Sequence, residues 1–124
     1  MNLEQLPLSR QIDFVFAKMK GELCHVSSGT VFIHIRNNVV GKFGIKHLPI
    51  ESKGGVLAAS PKQGLTAQQY ESFRQMAIDS LKYKQHWTHG EIMLDFTIRL
   101  DVLVASVQFE SNYNMASYNN GKAL

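Results

Sequence analysis

Arg36-Asn37-Asn38 lies between two apolar, strand-like runs and constrains how they can pair. Upstream, Val31, Ile33 and Ile35 alternate with Phe32, His34 and Arg36; downstream come Val39, Val40, Gly41, Lys42, Phe43 and Ile45. Side chains of a strand point alternately to opposite faces, so a one-residue slip sends every side chain to the wrong face. A two-residue Asn-Asn turn pairs Ile33 with Lys42 and mixes apolar and charged residues on one face. A three-residue turn, Arg36 to Asn38, pairs Ile35 with Val39, Ile33 with Gly41 and Val31 with Phe43, and collects the apolar set on one face. It also puts Asn38 in the left-handed region, which Asn tolerates. The expectation is a hairpin of this register, with Lys42 and Val40 facing away from the core and Gly41 facing inward to make room for a large side chain.

A second hairpin follows the same logic. Ile92, Leu94, Phe96 and Ile98 alternate with Met93, Asp95, Thr97 and Arg99, and the return run offers Leu103, Ala105, Val107 and Phe109. A turn centred on Leu100-Asp101 pairs Ile98 with Leu103, Phe96 with Ala105, Leu94 with Val107 and Ile92 with Phe109, again with one apolar face.

Each hairpin is preceded by a helical pattern. Over residues 9–21, Ile12, Val15, Phe16 and Met19 form one stripe, with Ser9 as N-cap and Gly21 just past the end. The other helix starts at Thr66, where Thr66 and Gln69 make a capping box and Leu65 and Tyr70 a hydrophobic staple. It runs to about Gln85, with Tyr70, Phe73, Ala77 and Leu81 on one line and Met76, Tyr83 and Trp87 on a neighbouring one. Between the halves, 47–65 holds Pro49, Pro61, Gly54, Gly55 and Gly64, with a short strand at Val56-Leu57. Structureless loops this long are uncommon in compact domains, so this one is either the place for a binding element or a mobile, tolerant connection.

The order α-β-β-(long loop)-α-β-β predicts a single α+β domain over 1–124. It is a two-layer sandwich of a four- or five-stranded antiparallel sheet with two helices on one face. Residues 1–8 and 111–124 are expected to fray at the ends. In element order alone the layout resembles small helix–sheet adaptor domains of the roadblock and profilin type, and no residue's role follows from that. An apolar fraction of 44% supplies one core. A charged fraction of 19%, below the usual value of about 25%, argues against a disordered chain. The single cysteine, Cys24, excludes an internal disulfide. With no secretory-type apolar run near the start and no stretch of about 20 apolar residues, the expectation is a cytoplasmic chain with no membrane partner.

Three groups of residues bear on chemistry. His86, His89 and Glu91 form the densest cluster, a candidate for a metal site or a small enzyme, but they straddle a helix end and a strand start. Arg36, Lys42, Lys46, Lys53 and Lys62 make the middle of the chain basic and define a nucleic-acid-binding alternative. The net charge of +3 is small for a dedicated nucleic-acid binder. Cys24-His25 does not form a nucleophile–base pair, because such partners meet across a fold rather than along a chain. His34, Asp95, Arg99 and Ser106 share the outer sheet face, where a His, a carboxylate and a hydroxyl can do acid–base work only if enclosed.

The leading expectation is a non-catalytic, cofactor-free interaction or regulatory module that forms a homodimer and engages a protein partner. Its interface is the outer sheet face, with Phe32, Val40, Met93 and Val104 as apolar contacts and His34, Asp95 and Arg99 at the rim. The outer strand edges are a competing route to the dimer.

Overall fold

The computed structural model describes residues 5–58 and 63–115. Its elements are α1 (Leu8–Leu23), β1 (Ser28–Arg36), β2 (Val39–His47), β3 (Ser52–Lys53), β4 (Val56–Leu57), α2 (Ala67–Ser80), β5 (His89–Arg99) and β6 (Val102–Ser111). A 3-10 turn, Leu81–Tyr83, extends α2. The fold is α+β. β2-β1-β5-β6 form an antiparallel sheet, and β3-β4 form a separate two-stranded ribbon. β1 and β5 lie side by side at its centre, so each α-β-β half occupies one side of the molecule.

The core lies between one sheet face and both helices. Ile12, Val15, Phe16, Met19 and Leu23 of α1 and Tyr70, Phe73 and Ala77 of α2 pack with Val31, Ile33, Ile35, Ile92, Leu94 and Phe96. Phe73 joins the layers, edge-on to Phe16 at 5.4 Å and tilted on Phe96 at 5.0 Å. Each such side chain contributes roughly 1.5–3 kcal/mol when fully buried, so this apolar cluster is the main stabilising element. Arg74 ties the helices together, bonding Asp13 of α1 and Glu71 of α2, each at 3.0 Å. Hydrogen bonding to Glu71 raises the Arg74 pKa above its ordinary value. Burial raises that of the Tyr70 phenol.

The first hairpin corrects the expected register. Asn37 and Asn38 both have positive φ, 51° and 61°, so the turn has two residues, and Arg36 pairs with Val39. Ile35 then pairs with Val40, but Ile33 pairs with Phe43 and Val31 with Ile45. A bulge places Gly41-Lys42 opposite His34 and shifts the pairing by one residue. The bulge keeps the apolar set together despite the short turn. Val31, Ile33, Ile35, Phe43 and Ile45 face the helices, while Lys42 faces away from them. Val40, expected on the outer face, is instead only 5% exposed and belongs to the core. Gly41 is exposed, with open space around it, so it accommodates no large side chain.

The second hairpin has the expected register, residue for residue, with Leu100 and Asp101 as its turn. The capping box at Thr66 is present in both directions: Gln69 N–H donates to the Thr66 hydroxyl at 3.1 Å, and Thr66 N–H donates to Gln69 Oε1 at 2.9 Å. Other helix ends differ from expectation. α1 starts after Pro7 and continues through Gly21 to Leu23, because Leu23 is fully buried and further turns cover more core. α2 ends at Ser80, and Trp87 reaches the core from the segment beyond the 3-10 turn. Tyr83 is 76% exposed rather than part of an apolar line. In the long connection, Val56-Leu57 does form a strand, and Gly54 and Gly55, at φ 61° and 83°, form the turn before it. Leu8 and Ser111, expected to fray, lie within α1 and β6. No helix among the described residues is long and apolar enough to cross a membrane.

Candidate interaction surface

Among the described residues the sheet's second face carries no helix, and its character follows from cross-strand pairing. Outward residues of β1 meet outward residues of β5: Phe32 opposite Met93, His34 opposite Glu91 and Thr30 opposite Asp95. Both polar pairs are in contact, and the second is hydrogen-bonded. His34 Nε2 is 3.2 Å from Glu91 Oε1, and the Thr30 hydroxyl donates to Asp95 Oδ1 at 2.5 Å. Cross-strand pairs of this kind each contribute roughly 0.2–1 kcal/mol.

Phe32 is the centre of the face. Its ring lies across Gly44 on β2, so close that a Cβ there would sit 2.8 Å from the ring. His34 is 5.5 Å away, ring to ring, and Lys42 Nζ lies 5.9 Å from the Phe32 centroid. Phe32 and Met93 are half-buried by these neighbours, whereas Val104 on β6 stays exposed. Arg99 sits at the end of β5, opposite Val102. A shallow depression near that end is lined by Thr30, Leu48, Asp95, Arg99 and Val104. Leu48 is exposed and follows β2 directly.

Of the interface residues expected from sequence, Phe32, His34, Met93, Asp95, Arg99 and Val104 share this face, and Val40 does not. The acid–base arrangement does not assemble. Asp95 lies four residues along β5 from the partner of His34, or about 13 Å at strand rise. Asp95 faces Ser106 across β5–β6 but is hydrogen-bonded to Thr30, and His34 lies against Glu91.

His86, His89 and Glu91 do not act together either. Glu91 contacts His34, His89 pairs with Arg36 at the start of β5, and His86 lies upstream on the exposed approach to Trp87. Among the described residues, no group of three metal-ligating side chains comes together. Cys24 closes α1, and His25 turns its Nδ1 onto the Gly21 carbonyl at 2.9 Å, so the two residues serve the helix end. The basic residues are spread out. Arg36, Lys42 and Lys46 are exposed along β1 and β2, Lys53 is in the β3-β4 ribbon, and Lys62 lies outside the described residues.

Sequence reasoning missed Glu91 and Thr30 as members of this face's polar pairs, and Leu48 at its edge. The β1–β5 pairing that creates the contacts joins residues about sixty apart, and no local pattern announces it. Set against protein-family models, curated proteins and solved structures, the chain matches none.

Proposed function

We propose that this chain is a non-catalytic, self-associating interaction module of the cytoplasm, and that the outer face of its sheet is the surface offered to a protein partner. The observation that supports this reading is the Phe32–Met93 pair at the centre of a sheet face that no helix among the described residues covers, framed by polar pairs. Docking surfaces have this composition: apolar and aromatic contacts in the middle and polar groups at the rim. The polar groups are held by neighbours rather than aimed into an enclosed space, which suits recognition better than acid–base chemistry. The lone Cys24 fits a reducing compartment.

The self-association part is tested by sedimentation at micromolar concentration, where a dimer is expected and a monomer at every concentration refutes it. The docking part is tested with a photo-crosslinking residue at Met93 in cells. A discrete adduct with another protein, lost in Phe32→Glu, is expected. No adduct, or one indifferent to Phe32→Glu, rejects the face as the working surface.

A further inference from the structure

We propose that two copies of this chain pair along β6, edge to edge and antiparallel, to make one continuous eight-stranded sheet. This rests on the reading of the chain as self-associating and assigns the seam. The sheet has two ends, β2 and β6, and they are built differently.

β2 is guarded. It carries the bulge opposite His34, and it presents exposed Lys42 and Lys46. α1 reaches over it at both ends: Gln11 Oε1 accepts the Val40 N–H at 2.8 Å, and Glu22 Oε2 meets His47 Nε2 at 2.7 Å. Bulges, lysines and covering elements are the means by which natural sheets prevent edge pairing.

Among the described residues β6 has none of these. It pairs with β5 at ten successive positions without a bulge. It contains no Lys, Arg or Pro, and its single charge is Glu110 near the end. The direction of its backbone follows from its turn. Residues flanking a two-residue turn exchange both ladder bonds, and bonded positions then alternate. Even-numbered residues of β6 therefore bond to β5, a series continued by Asn112 N–H donating to the His89 carbonyl at 2.9 Å. Leu103, Ala105, Val107 and Phe109 turn their N–H and C=O groups toward the open edge.

The side chains of the same four residues are on the helix face and only half-buried. Beside Val107 and Phe109 an open cleft of about 370 Å³ runs to Met76 and Tyr83. One row of residues thus presents both unused backbone groups and incompletely covered apolar side chains. A second β6 serves both needs. With the two-fold axis at Val107, Ala105 of one copy meets Phe109 of the other, and each Glu110 meets Val104 rather than another carboxylate. The strand is self-complementary, as a two-fold interface requires. The seam leaves both outer faces open, joined side by side.

The test uses the full chain and the variant Ala105→Pro. Proline there removes an outward N–H and no bond to β5, so the fold, followed by circular dichroism and cooperative melting, is retained. Wild type is expected to sediment as a dimer at micromolar concentration, and Ala105→Pro to weaken association at least about ten-fold. Independently of any variant, amide exchange in the wild type is expected to slow at least about ten-fold at Leu103, Ala105, Val107 and Phe109 on going from dilute monomer to dimer. A dimer unaffected by Ala105→Pro, with those amides unprotected, overturns the seam while leaving self-association standing. A chain that stays monomeric throughout overturns both. Protection of the β6 amides only when a different protein is added also overturns the proposal and gives the edge to a foreign strand.

Discussion

The two hairpins of this protein use the same kind of turn and are held in opposite ways. Asn37-Asn38 and Leu100-Asp101 are both two-residue turns with positive φ at each position. The first is tied into the molecule from two sides. Asn37 N–H donates to the Thr88 carbonyl and Asn38 N–H to the Trp87 carbonyl, while Asn38 Oδ1 accepts from Trp87 N–H, at 2.8, 2.9 and 2.8 Å. Gln11, fully buried on α1, donates to the Leu6 and Asn38 carbonyls at 3.1 and 3.0 Å and accepts from Val40 N–H. The second turn projects into solvent, with Leu100 98% exposed. Its bond from α2 is Gln69 Nε2 to the Asp101 carbonyl at 3.1 Å. The difference shows that a strand pair with clean alternation needs little outside help to find its register. A pair whose alternation is broken needs a bulge, and neighbours that hold it.

The largest expected effect breaks the first hairpin's support. Gln11→Ala leaves a buried gap and strips partners from two carbonyls and an N–H, at a cost of about 2–4 kcal/mol in urea unfolding. A loss below about 1 kcal/mol would mean the bulged register stands without α1. Asn38→Ala comes next, at about 2 kcal/mol, because it adds left-handed strain to the loss of the Trp87 bond. Asn37→Ala, which keeps its backbone bond to Thr88, should cost less, and equal losses would remove the special role given to the Asn38 side chain.

Smaller effects belong to the second half. Thr66→Ala should lower stability by about 1 kcal/mol through loss of the cap. Gln69→Ala should match or exceed it, since Gln69 also holds the Asp101 carbonyl; unchanged denaturation midpoints for both would count against the capping box. The smallest change has the opposite sign. Leu100→Asn should stabilise by up to about 1 kcal/mol, because Asn tolerates the left-handed conformation that an exposed Leu occupies at a cost. Destabilisation would show that Leu100 makes a contact the free turn does not need.

Several features of the candidate surface were legible in the chain. The alternation of Phe32 and His34 with Val31 and Ile33, and of Met93 and Asp95 with Ile92 and Leu94, already assigned those residues to opposite faces. Val40 was misplaced because a period-two count cannot register an extra residue, and the bulge at Gly41-Lys42 lies just beyond it. The His34–Glu91 and Thr30–Asp95 pairs were invisible because sequence placed Glu91 beside His86 and His89, its chain neighbours.

Local patterns by themselves determined the α-β-β repeat, the capped start of α2 at Thr66, the full register of the second hairpin and most, though not Val40, of the apolar set of the core. In each case the physical signal is carried by residues within one element or one turn: side-chain periodicity, a capping hydroxyl and amide at the right spacing, a turn between matched strands. Tertiary structure alone decided the turn length and bulge of the first hairpin, the extension of α1 to Leu23, the partners on the outer face and the unequal edges of the sheet. Those outcomes depend on groups far apart in the chain, such as Gln11 with Val40 or Thr30 with Asp95. A bulge or an extra helical turn differs from its alternative by only a few kcal/mol, so buried bonds and packing from distant elements are enough to choose between them.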